Sequence, residues 1–161
     1  VDHYKRNEGD DMSTQQWNID TGHSSIHFAV RHLVISRVRG AFDRWRGTVD
    51  YDARNPEASK VSVQIDSASI DTREPKRDEH LRSADFLDVE HHPALTFQST
   101  GVEPLARNRF RLTGDFSMHG VTRMIELDVE LLGESKDPWG NQRLGFQALQ
   151  RRPAVIPDRA A

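Results

Sequence analysis

The 161-residue sequence contains no cysteine, which removes thiol catalysis, cysteine-ligated zinc, iron–sulfur centres and any disulfide framework. It has no excess of positive charge either. Against 22 Lys and Arg stand 25 Asp and Glu, a net charge of -3, so nothing marks a nucleic-acid footprint. Apolar residues make up only 35% of the chain and aromatic residues 7%. No run of about 18 apolar residues offers a membrane helix, and the N-terminus lacks the apolar region of a secretory signal. G-x-S-x-G, H-E-x-x-H and glycine-rich phosphate loops are missing too, which removes the commonest hydrolase, zinc-protease and nucleotide signatures.

A length of 161 residues argues for one domain. The stretch before Trp17 is polar, and Met12 within it can serve as a start. Residues 1–14 are therefore expected to be a disordered extension. Cytoplasmic placement is expected, with the periplasm as the alternative if a signal precedes this sequence.

What the sequence does have is alternation of period two, the mark of half-buried antiparallel strands. Ile26, Phe28, Val30 and His32 share one face, and Val38, Gly40 and Phe42 continue the pattern. The phase breaks at Arg44-Trp45-Arg46, where a bulge or sharp bend is expected. It resumes at Gly47, Val49 and Tyr51. Further strands follow over Val61–Ile65, Leu95–Ser99, Phe110–Met118, Ile125–Leu131 and Leu144–Ala148, with His119-Gly120 as a turn. Residues 71–93 are the exception, charged and without β-branched alternation. Pro75 in a first turn, with Glu74, Asp78 and Glu79 near the positive end and Arg82 near the negative end, predicts a short helix there. Six or seven strands without a βαβ rhythm exclude a parallel sheet and leave a meander, sandwich or antiparallel barrel.

Eight histidines invite a metal reading, but they look dispersed. His27 and His32 face opposite ways in a regular strand, His91-His92 precede Pro93 in a loop, and His119 sits alone at a turn. No metal site is expected. Asp85, Asp88 and Glu90 read as solvated surface carboxylates. The inward aromatics and Met118 either fill the core or line a ligand cavity.

Taken together, the motifs resemble the YceI family. They are W-x-I-D at Trp17–Asp20, H-S-x-I-x-F-x-V-R-H at His23–His32, V-R-G-x-F at Val38–Phe42, Ser69-Ile70-Asp71-Thr72, R-D-x-H-L-x-S-x-D-F-L-D at Arg77–Asp88 and G-x-x-x-x-H-G-V-T-R at Gly114–Arg123. Their order and spacing match over about residues 17–148. The resemblance implies a lipocalin-like antiparallel β-barrel with one short helix over residues 15–150, and an apolar tunnel that holds a polyisoprenoid lipid. It implies binding rather than catalysis, no cofactor beyond that lipid, and links in some members to stress responses or isoprenoid quinones. An enzyme using the same pocket, or a ligand-free barrel, are the alternatives.

The candidate lining residues are Phe28, Val30, His32, Val38 and Phe42 from the first hairpin, Trp45, Val63 and Ile65 from the next strands, and Phe86 beside the helix. Leu95, Phe97, Phe116, Met118, Ile125, Leu127 and Phe146 complete the set. His32, Arg77 and His80 are candidates for a polar headgroup, with Arg77 and Asp78 alternatively tying the helix to the barrel. After Gly145–Ala148 the family pattern continues through an N-R-x-D-F-G motif to a closing strand. Here the sequence reads LQRRPAVIPDRAA, and Pro153 and Pro157 do not suit a central strand. Residues 151–161 are thus expected to be a tail outside the family pattern. A barrel short of its closing strand leaves an open edge at Gln142–Ala148 or Trp17–Asp20, where a second copy can pair.

Overall fold

The computed structural model describes residues 15–32 and 36–151, the side chains of residues 31–36 excepted. Among these residues it contains ten strands and one α-helix. The strands are β1 (Gln15–Asn18), β2 (Ile26–His32), β3 (Ser36–Phe42), β4 (Trp45–Tyr51), β5 (Lys60–Asp66), β6 (Ile70–Asp71), β7 (Ala94–Ala106), β8 (Arg109–Met118), β9 (Val121–Lys136) and β10 (Gln142–Gln150). The helix is α1 (Pro75–Arg82). The expected extension 1–14 and most of the expected tail 151–161 lie outside the described residues.

All strand pairings among the described residues are antiparallel. One sheet runs β1-β4-β5-β7-β8-β9-β10 and a smaller one runs β2-β3-β6. The break at Trp45 is not a bulge. β3 ends at Phe42 and β4 begins at Trp45 in the other sheet, so the lost alternation marks a change of sheet. The bulges lie elsewhere, between Ser99 and Gly101 and between Pro104 and Ala106 in β7, and between Gly145 and Phe146 in β10. Six or seven strands was an undercount, because β1 and β6 are too short to show a period and the continued alternation of residues 26–42 is the two strands β2 and β3.

Turn chemistry fixes the longest ladder. Met118 pairs with Val121, so the β8–β9 loop is His119-Gly120 alone. Both residues have positive φ, 50° and 71°, as a two-residue hairpin with a right-handed twist requires. Gly114 on β8 answers a different need. A Cβ there would stand 2.5 Å from the Phe97 ring and 2.6 Å from the Gln98 carbonyl oxygen, so the ring lies directly over the glycine.

The large sheet is curled into a half-barrel. Tyr51 on β4 and Phe146 on β10 are separated by four intervening strands, which in a flat sheet means about 24 Å. Their rings meet edge to face with centroids 5.7 Å apart. Arg143 on β10 likewise reaches Asp20, just beyond β1, at 3.0 Å. β1 and β10 are nevertheless the ends of the strand order. The seam is closed by side chains, without a backbone ladder among the described residues.

The core sits at one end. Phe42, Ile65, Ile70, Leu87 and Leu95 form a buried cluster that joins both sheets, with Phe28, Trp45, Val63, Leu81, Phe116 and Met118 packed against it. α1 lies over this end although Leu81 is its only large apolar residue. Polar bonds hold it instead. The Glu74 carboxylate accepts from the backbone N–H groups of Lys76 and Arg77, capping the helix ahead of Pro75. Asp78, buried, accepts from the Thr72 N–H at 2.9 Å and its hydroxyl at 2.5 Å. Arg77 donates to the Thr72 hydroxyl and carbonyl, and Arg82 donates to the carbonyls of Ala68 and Ile70.

Candidate functional site

Two features at the surface of this scaffold bear chemistry: the concave face of the large sheet, and a histidine cluster beside the helix end. Residues directly opposite in register point to the same side of a sheet. The concave face therefore follows the rows Trp17, Val49 and Val61; Val63, Phe97 and Phe116; Phe110, Val129 and Ala148; and Leu131 with Phe146. It is apolar nearly from rim to rim. Arg123, opposite Phe116, interrupts it.

Burial along that face is uneven. Ile65 and Leu95 are buried in the packed end, with Phe42 of the smaller sheet against them, and Phe97, Leu112 and Phe110 are buried further along the face. Val30 and Val38, a cross-strand pair of the first hairpin, are half-buried. Ile125, Leu127, Val129 and Leu144 are also only half-buried, and Phe146 is 36% exposed. Trp17 contributes a buried indole Nε1 that has no hydrogen-bond partner among the described residues, an uncommon state for a buried donor. Near the seam, burial, reinforced by Asp52 and Glu134, raises the Tyr51 hydroxyl above its ordinary value.

The candidate headgroup residues separate. Arg77 is committed to Thr72, the tie that the sequence left as its other reading. His80 is exposed, stacked edge-on against Phe86 with centroids 4.8 Å apart. Phe86 itself is 44% exposed, outside the buried core. The His32 side chain lies outside the described residues.

His119 does not stand alone. Its ring lies 5.0 Å from that of His92, centroid to centroid. Asp88, His92 and His119 each present one ligand atom, all within 4.8 Å of one another. The segment after α1 is tightly held: Asp88 N–H donates to the Ser83 carbonyl, His92 N–H to the Asp88 carbonyl, and the fully buried Ser67 hydroxyl to the His92 carbonyl. Asp88 also accepts from His91 at 2.9 Å. That hydrogen bond, with the charges of His91, His92 and His119, lowers the Asp88 carboxyl, and the same bond, with the charges of Asp88 and Glu90, raises His91. Sequence reading missed the cluster because 27 positions separate His92 from His119. Asp88 with His92 four residues on was the available signal, and the turn at His119 was the missing third part.

A model of the YceI-like domain matches residues 17–154, most of the sequence and every strand from β2 to β10. The chain belongs to the YceI-like domain family. This YceI-like chain is 44% identical over 125 residues to a UPF0312 protein of Azotobacter vinelandii, covering 78% of the chain and 65% of that protein. It is 42% identical over 126 residues to Protein YceI of Escherichia coli O157:H7, with the same two shares. The chain thus spans about 65% of the length of these curated relatives. Among solved structures it is similar to the Campylobacter jejuni YceI protein, with 33% identity, a TM-score of 0.65 and coverage of 80% of this chain and 75% of that one. Burkholderia cenocepacia BcnA shares the fold at 22% identity, with a TM-score of 0.68 and 73% of each chain covered. Among the described residues no helix is long and apolar enough to cross a membrane.

Proposed function

We propose that this YceI-like chain binds a long polyisoprenoid lipid along the concave face and carries or sequesters it without turning it over. The observation that carries the reading is the uneven burial of one continuous apolar face. Its helix end is filled by side chains, while Ile125, Leu127, Val129, Leu144 and Phe146 continue the same surface only partly covered. A long, flexible apolar occupant fits a curved trough that is open along its length. Each buried methylene is worth roughly 0.8 kcal/mol, so a few isoprene units supply much of the about -8 kcal/mol of a micromolar complex before entropic losses.

The unpartnered Trp17 Nε1–H is the polar handle on this face. It suits an acceptor oxygen, such as a quinone carbonyl or a polyprenyl phosphate. Arg77 is tied to Thr72 through Nε and Nη2 and keeps three further N–H donors for such a group. A second copy of the chain is the competing occupant of the open rim, because among the described residues β10 pairs only with β9 and leaves Leu149 61% exposed.

Uptake of a fluorescent geranylgeranyl analogue by purified protein, with light scattering on the same samples, tests the reading. Saturable uptake by a monomer, displaced by unlabelled polyprenyl lipid, is the expected result. Val129→Arg places an unpaired charge in the trough away from the packed core and is expected to abolish uptake in a folded protein. Phe116→Arg is expected to do the same at the packed end. Undiminished uptake by folded Val129→Arg, or a dimer that excludes the probe, overturns it.

A further inference from the structure

We propose that Asp88, His92 and His119 form a binding site for one divalent transition-metal cation of the zinc class, joining the segment after α1 to the β8–β9 turn. Two imidazoles and one carboxylate are a donor set suited to such borderline cations. The three ligand atoms lie within 4.8 Å of one another. Tetrahedral zinc with bonds of about 2.0–2.1 Å needs neighbouring ligands about 3.3 Å apart, a gap that side-chain rotation closes without moving the backbone.

The tautomer of His119 is already set for ligation. Its Nδ1 hydrogen-bonds the Phe86 carbonyl, and a carbonyl only accepts, so Nδ1 carries a proton and Nε2 is the nitrogen that the neutral ring offers to a metal. A backbone carbonyl behind the imidazole is the usual outer partner of a metal-bound histidine. The His92 ring makes no hydrogen bond among the described residues and lies against the His119 ring. Asp88 spends Oδ1 on His91 and retains its second oxygen.

The scaffold holds these donors rather than merely presenting them. Asp88 and His119 both have left-handed backbone, with φ of 47° and 50°, and the Ser67 hydroxyl pins the His92 carbonyl. Gly120 brings the turn close to His92: a Cβ there would stand 3.0 Å from the ring. With three protein ligands, a fourth coordination position is left for water. The site is independent of the lipid reading, as none of its three residues lies among the apolar rows of the trough.

Titration of zinc chloride into chelator-treated, dialysed full-length protein, followed by calorimetry, tests the assignment, with cobalt(II) absorption as a second probe of geometry. Wild type is expected to take up one zinc per chain saturably and to melt at higher temperature with it. His92→Phe, His119→Asn and Asp88→Asn are each expected to weaken uptake about tenfold or more, while far-UV circular dichroism shows them folded. His23→Ala removes the exposed histidine that pairs with Asp20 at 2.9 Å and is expected to leave uptake unchanged. Should any cluster variant misfold, quenching of the wild-type cobalt spectrum by one equivalent of zinc replaces its uptake measurement. Absence of saturable uptake in wild type, uptake that survives His92→Phe, or loss in His23→Ala overturns the site.

Discussion

The helix end and the seam of this half-barrel are built from the same kind of strand, yet they are held in opposite ways. At the helix end five apolar side chains are buried together, and a nearly all-polar helix is fastened over them by Thr72, Asp78, Arg77 and Arg82. At the seam no ladder joins β10 to β1. One aromatic contact and one ion pair, Tyr51–Phe146 and Asp20–Arg143, span the gap. The first region has its free energy in burial and in satisfied buried polar groups. The second exchanges that for an accessible apolar surface, which is where a ligand can add what the chain leaves out.

Matched truncations break this comparison most sharply. Leu95→Ala, at 3% exposure, is expected to cost about 2–5 kcal/mol through lost burial and the cavity left behind. Leu132→Ala, at 61% exposure, is expected to stay within about 0.5 kcal/mol. Urea unfolding of the two variants beside wild type measures the contrast. Similar losses at both sites would mean that β9 at the bulge beside the seam is packed as densely as the helix end.

The polar staple comes next. Asp78→Ala leaves the Thr72 N–H and hydroxyl without their buried acceptor, and each unsatisfied group costs about 1–3 kcal/mol. A loss of about 2–4 kcal/mol in urea unfolding is expected, with hydrogen exchange rising first in residues 72–93. Uniform exchange across the molecule would assign the cost to the sheet instead of the helix.

How much of this was legible follows from the physics of each part. Alternation marks any strand long enough to show a period, so β2, β5, β8 and β9 were readable, as were Pro75 and Glu74 at the start of α1. The change of sheet at Trp45 was not, because a lost phase looks alike whether the strand bulges or ends. Nor was the role of Arg77, since an arginine that binds a headgroup and one that binds Thr72 have the same sequence. The histidine cluster was hidden for a third reason: antiparallel pairing and the loop after α1 bring His92 to His119, and no local pattern encodes that meeting. Uneven burial of the concave face was equally invisible, because alternation shows which side a residue takes and not what covers it.

Glycines give a smaller test of the same contrast. Gly114→Ala drives a methyl group into the Phe97 ring and the Gln98 carbonyl, and the backbone oxygen cannot swing away. Overpacking of this kind costs about 1–3 kcal/mol. Gly133→Ala, on β9 with nothing within 4 Å of its added methyl, is expected to be neutral or to stabilise by about 0.4–1 kcal/mol through the unfolded chain. Thermal melting separates the two, and a destabilised Gly133→Ala would reveal a contact at the open end.

The smallest expected effect lies in the seam's electrostatics and appears only in acid. Arg143 bonds both Asp20 and Asp137, at 3.0 and 3.1 Å. Asp137 is lowered to about 2, first by the side-chain hydrogen bond from Asn141 and then by the backbone of its turn and by Arg143. Asp20 is lowered chiefly by its hydrogen bond with His23. A carboxyl whose folded pKa is depressed stabilises the fold above its unfolded value, here near 3.8, and loses that contribution as pH falls through the folded value. The latch is therefore intact above about pH 4 and released toward pH 2. Melting temperatures measured from pH 5 to pH 2 should fall more steeply in wild type than in Asp137→Asn, which has no carboxyl to protonate at that position. Because Asp20 and Arg143 carry the only ion pair described between β10 and the opposite rim, Asp20→Asn should in addition raise exposure of Phe146 to solvent at pH 7, read as a shift in its ring resonances. Parallel pH profiles in wild type and Asp137→Asn, with an unmoved Phe146, would place the hold on the seam in the aromatic contact alone.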